Sequence, residues 1–117
     1  MINLLYLFTN EQETVSFLAG QTIFEIGDEG RDMYVVLDGQ VDVVVNNRVL
    51  ETIESGGLFG ELALINSSPR SASVVARTDC RLMPINEQRF FSLVQEFPFF
   101  SLHVMSIMAE RIRRQTA

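Results

Sequence analysis

The sequence has no lysine and no tryptophan, and it carries one cysteine and one histidine. Cys80 has no intramolecular partner for a disulfide, which fits a reducing, cytoplasmic setting. His103 alone does not furnish the several imidazoles or thiolates that metal enzymes use, so no metal site is expected. No Ser-His-Asp set, acid–base carboxylate pair or activated thiol is visible either, and the chain does not read as an enzyme. Cys80 beside Asp79 and Arg81 reads as a structural thiol. Positive charge is scarce: Lys+Arg is 9, all arginine, against Asp+Glu 15, for a net charge of -6. That balance argues against general nucleic-acid binding, which needs clustered cations. Long hydrophobic runs are also missing. The apolar stretch from Leu4 to Phe8 is too short to cross a bilayer and lacks the flanks of a secretory signal, so it reads as an N-terminal arm. Ile2 excludes N-myristoylation. No membrane partner is expected.

What is present is an ordinary globular mixture, 47% hydrophobic and 21% charged, in 117 residues, enough for a single domain with its own core. From Thr14 to Ile85 short apolar segments alternate with turn residues. Strands are expected over Val15 to Leu18, Thr22 to Ile26, Met33 to Leu37, Val41 to Val45, Arg48 to Ile53, Ser71 to Arg77 and Cys80 to Ile85. Asp38-Gly39 and Asn46-Asn47 read as hairpin turns. Seven or eight short strands at spacings of about 8–12 residues imply a sandwich or barrel. After Pro84 the period changes. Asn86 is a candidate cap for a helix over Glu87 to Glu96, and Pro98 opens a second helix running to about Gln115. Leu102, Val104, Met105, Ile107, Met108, Ala109 and Ile112 cover more of that helix than one stripe, which implies burial on two sides and a homodimer built on it. Arg111, Arg113 and Arg114 at its end fit either compensation of the helix dipole or docking of an acidic partner. Asp28, Asp32, Asp38 and Asp42 read as a solvated acidic rim.

One segment carries chemistry, Phe59 to Ala72. Glycines at 56, 57 and 60 allow close backbone approach, and Glu61 to Ile65 is a very short helical sequence whose first N–H groups suit an anion. Pro69 forces the chain to re-extend, and Arg70 follows, a guanidinium fork matched to two phosphate oxygens, with the Ser71 hydroxyl beside it. Glu61, an acceptor, suits a sugar hydroxyl. Two readings stay open on these residues alone: a phosphate grip with a sugar grip, or a Glu61–Arg70 ion pair.

Phe59-Gly60-Glu61-Leu62-Ala63-Leu64 and Pro69-Arg70-Ser71-Ala72 resemble the phosphate-binding cassette of the cyclic nucleotide-binding domain family. The resemblance extends through Gly20 to Phe24, Gly27 to Gly30, Met33 to Val36 with Gly39, and Met108 to Ile112. It implies a mainly β fold with flanking helices (α+β): an eight-stranded β-roll, jelly-roll-like, with a short cassette helix and two C-terminal helices. Within one domain, 1–117, it places an arm at 1–13, the roll at 14–85 with the cassette at 59–72, and helices at 86–117. The ligand implied is cyclic AMP or cyclic GMP, with no cofactor. Glu61 would accept the ribose 2′-hydroxyl, and Arg70 would neutralise the phosphate. Ser71 and the backbone around Gly60, Leu62, Ala63 and Ala72 would assist. Action would pass through a protein partner, since no helix-turn-helix follows the last helix; a scaffold dimer that binds no nucleotide, or a different effector, is the alternative.

Overall fold

The computed structural model describes residues 13 to 116, and side chains through Arg114. The expected arm around Leu4 to Phe8 lies outside the described residues. The elements are β1 (Val15–Phe17), β2 (Thr22–Phe24), β3 (Met33–Asp38), β4 (Gln40–Val45), β5 (Arg48–Glu54), β6 (Leu58–Phe59), α1 (Leu62–Ile65), β7 (Ser73–Ala76), β8 (Cys80–Ile85), α2 (Glu87–Glu96) and α3 (Phe99–Thr116). Eight strands form two four-stranded antiparallel sheets, β1-β8-β3-β6 and β2-β7-β4-β5.

The two sheets and the helices make three layers with two cores. Alternation along β3 and β8 explains both. Met33, Val35 and Leu37 from β3, with Met83 and Ile85 from β8, face the helices and pack on Leu93, Phe100 and Val104. Val36, Cys80 and Leu82 point the other way, toward Val41, Ile53, Phe59 and Val74 of the space between the sheets. β3 is therefore apolar on both faces, and its near-continuous Met-Tyr-Val-Val-Leu run follows from that.

The Asn46-Asn47 hairpin is present. Val45 pairs with Arg48, and both loop residues have positive φ, 52° and 62°, as the twist-matched two-residue turn requires. The expected hairpin at Asp38-Gly39 is not: β3 and β4 lie in different sheets. Both edges of β3 are already taken by β8 and β6, so the chain crosses at Gly39 and β4 pairs with β5 and β7 instead. The unforeseen strand is β6, only two residues long. The expected spans at Thr22 to Ile26 and Ser71 to Arg77 shorten to β2 and β7.

Asn86 caps α2, its side chain accepting from the Arg89 N–H at 2.8 Å. α2 and α3 are bent by 117° relative to each other, and among the described residues no single helix is long and apolar enough to cross a membrane. α3 seats Phe100 and Val104 in the core but leaves Phe99, Leu102, Met105 and Ile112 exposed.

Candidate functional site

The segment from Phe59 to Ala72 runs from the end of β6 in one sheet to the start of β7 in the other. Phe59 is buried at the end of β6, where its ring stacks on Tyr34 (5.3 Å between centroids) and neighbours Phe24 (5.9 Å). The chain then turns at Gly60, φ +79°, a value that favours glycine. A Cβ there would also stand 2.8 Å from a terminal guanidinium nitrogen of Arg70. Glu61 precedes the single turn of α1, Ser67 turns with φ 55°, and the chain re-extends by Arg70.

Arg70 is 7% exposed and tightly held. Its backbone N–H donates to the Asp28 carbonyl and its own carbonyl accepts from Gly27, both at 2.8 Å. The guanidinium donates through Nη1 to the Gly60 carbonyl (3.1 Å) and through Nη2 to the Asp32 carbonyl (2.8 Å). Its carbon lies 4.0 Å from the centre of the Phe24 ring. Gly30 packs against it so closely that a Cβ would stand 2.2 Å from Nε. Burial lowers the guanidinium's pKa, opposed by Tyr34, Asp32, Asp28 and Glu61. Burial also raises the Tyr34 hydroxyl, with Asp32 adding to the rise. One donor remains over: Nε is buried and has no hydrogen-bond partner among the described residues. Leaving such a group unmatched costs about 1–3 kcal/mol, more when it is charged.

Glu61 is 6% exposed, and the Glu61–Arg70 ion pair left open by the sequence does not form. Its Oε1 instead accepts from Nη1 of Arg111 on α3 at 2.8 Å. Arg111 also donates through Nε to Glu51 of β5 (3.1 Å) and through Nη2 to the Leu58 carbonyl (2.5 Å). Arg114 reaches Glu51 at 3.4 Å. Two of the three terminal arginines thus turn inward, while Arg113 pairs with Glu110 on its own helix.

All seven residues expected at the site, Gly60 to Ala63 and Arg70 to Ala72, line one cleft of about 520 Å³, a size suited to a small organic ligand. Of the backbone donors expected to assist, the Ala63 N–H is turned to the Gly60 carbonyl at 3.3 Å. The far wall was not anticipated. It comes from Val43, Val45, Leu50 and Glu51 on β4 and β5, and from Met108, Arg111, Ile112 and Arg114 on α3. One signal in the sequence did point there: Arg111 continues the inward stripe of Phe100, Val104 and Met108, where a surface arginine has no place. Among the described residues no group of His, Cys, Asp or Glu side chains is arranged to hold a metal ion.

The chain matches the family model of the cyclic nucleotide-binding domain over residues 14–97. It belongs to that family. As a cyclic nucleotide-binding domain it is similar to the Thermus thermophilus catabolite activator protein, with 28% identity and a TM-score of 0.79 over 89% of this chain and 51% of that one. It is also similar to a protein from a cyclic-GMP-dependent signalling pathway that regulates bacterial phytopathogenesis. There the identity is 30% and the TM-score 0.81, over 97% of this chain and 94% of the other. A cAMP-bound PfPKA-R matches with 26% identity and a TM-score of 0.72, over 85% of this chain and 34% of that one. The chain therefore spans about half the length of that catabolite activator protein and a third of PfPKA-R.

Proposed function

We propose that this cyclic nucleotide-binding domain is a receptor and regulatory module, without catalytic activity of its own, for cyclic AMP or cyclic GMP. The observation that carries the reading is Arg70, a buried guanidinium with an unmatched Nε–H, in the same cleft as the buried acceptor Glu61. A cyclic phosphate accepts from Nε–H of Arg70, from the Ser71 hydroxyl and from backbone N–H groups around Gly60, Leu62 and Ala72. The ribose 2′-hydroxyl donates to Glu61. Membership of the family and the nucleotide named for PfPKA-R support the assignment.

Because Glu61 also holds Arg111, a ribose arriving there acts directly on α3. Binding changes the position of α3 only by the difference in affinity between its two arrangements. The exposed Phe91, Phe99, Leu102 and Met105 give α2 and α3 a surface for a second copy of the chain, and that homodimer passes the change to a protein partner in the cytoplasm.

The test is calorimetric titration with cyclic AMP and cyclic GMP, with Arg70→Ala alongside. Hydrogen bonds to charged groups are worth about 1.5–3 kcal/mol, so the variant should lose roughly tenfold to a hundredfold in affinity. A scaffold that binds no nucleotide is the second reading, favoured by the intramolecular partners that both Glu61 and Arg70 already have. Flat titrations with folded wild-type protein would overturn the cyclic AMP and cyclic GMP reading in favour of the scaffold or of a different effector.

A further inference from the structure

Given the phosphate at Arg70 and the ribose at Glu61, we infer that Glu51 and Arg114 read the base and that they select guanine over adenine. This rests on the receptor reading above and adds the identity of the base. With those two ends of the ligand fixed, the rest of the cleft belongs to the base. Its lining there is apolar at Val43, Val45, Leu50 and Ile112, and charged at Glu51 and Arg114. The apolar side chains accept the face of either purine. The charged pair does not treat them alike.

Guanine offers N1–H and N2–H as neighbouring donors, and O6 and N7 as neighbouring acceptors. A carboxylate matches the first edge and an arginine fork the second, each in a bidentate pair. Adenine offers one amino donor flanked by ring acceptors, so it satisfies one oxygen of Glu51 and leaves the other facing an acceptor. Polar groups withdrawn from water reject analogues that leave them unmatched, and here that weight falls on Glu51, 24% exposed, more than on Arg114.

The existing contacts make this exchange feasible. Glu51 and Arg114 meet at 3.4 Å, a looser pair than Glu61 and Arg111 at 2.8 Å, and the Arg114 side chain is 55% exposed. A base entering between them replaces one long ion pair with two short sets of hydrogen bonds. Glu51 need not release Arg111, because a carboxylate has about four acceptor positions and the Arg111 Nε–H occupies one of them. Arg114 stands one helical turn beyond Arg111, so the residue that touches the base and the one that holds Glu61 move together.

The experiment is titration of the full chain with cyclic GMP, cyclic AMP and cyclic IMP, for wild type, Arg114→Leu and Glu51→Gln. Cyclic IMP keeps O6, N7 and N1–H and lacks the N2 amino group. Wild type should favour cyclic GMP over cyclic AMP by about tenfold, the lower range for a bidentate base contact, with cyclic IMP between them. Each substitution should erase most of that preference by weakening cyclic GMP several-fold more than cyclic AMP, with Arg114→Leu the cleaner of the two because Glu51 also pairs Arg111. Arg114→Leu removes an exposed side chain, so it tests the idea even where Glu51→Gln disturbs Arg111. Cyclic AMP bound as tightly as cyclic GMP, or a preference that survives both substitutions, overturns the base assignment and leaves the receptor reading standing. If neither nucleotide binds wild type, both fall.

Discussion

Arg111 holds the Glu61 carboxylate at 2.8 Å across 50 residues of sequence. Glu61 is buried, and the arginine is largely so, which makes the contact one of the few charged ties between α3 and the cassette. Removing one member of a buried pair strands the other charge. Arg111→Met should therefore destabilise the fold by about 3 kcal/mol in urea denaturation, and adding Glu61→Gln to it should recover part of the loss. Full additivity of the two single losses would show that the pair does not act as one unit.

A second prediction concerns Gly30, which no ligand would touch. A Cβ there would meet the Arg70 guanidinium at 2.2 Å, so Gly30→Ala must displace the fork from the place where it contacts the Asp32 carbonyl and Phe24. Nucleotide affinity should fall by roughly tenfold, as when a charged hydrogen bond is lost. Overpacking should also cost about 1–3 kcal/mol of stability. Calorimetry on the folded variant separates these effects, and unchanged affinity would mean the guanidinium has room to step aside.

Phe100 is fully buried where α3 meets β3 and β8, with its ring 5.6 Å from Phe90. Phe100→Ala should cost about 3–5 kcal/mol by chemical denaturation, since the cavity is walled by two helices and a sheet that cannot all close in. A loss below 1 kcal/mol would mean that α3 contributes little to the core.

His103 gives the fold a pH dependence of definite sign. Burial lowers its pKa from the ordinary 6.5. The unfolded chain then binds more protons than the folded one as pH drops through that value, so stability declines on the acid side. The denaturation midpoint should be lower at pH 5.5 than at pH 7.5, and His103→Gln should flatten that difference. A wild-type midpoint that rises on acidification would contradict the lowered pKa.

Local chemistry made much of this fold readable in the sequence. Cys80 to Ile85 and Glu87 to Glu96 appear at the boundaries expected, because the turn residues Thr78-Asp79, a short apolar run and an N-cap asparagine act within a few residues. The cassette was legible for the same reason, its glycines, proline and arginine all being close neighbours. Pairing was not. Nothing near Asp38-Gly39 records that both edges of β3 are occupied by segments from residues 58–59 and 80–85. Nor does Arg70 announce that Phe24, Gly30 and Asp32 hold it. Glu51 and Arg114 were missed because the far wall of the cleft is assembled from β5 and the end of α3, which only the tertiary fold brings together.

α3 is one rod with two kinds of fastening. Its first half is secured by Phe100 and Val104 in an apolar core, its last by Arg111 and Arg114 on two carboxylates. Apolar burial weakens on cooling and strengthens in structure-making salts such as sulfate. Of the charged contacts, Glu61–Arg111 is buried and little screened, whereas Arg114 lies 55% exposed on Glu51 and is screened over about 8 Å at physiological ionic strength. Raising such a salt thus tightens the apolar end of the helix while loosening its last described side chain, and the ionic composition of the solution becomes a dial on how firmly Arg114 rests against the cleft.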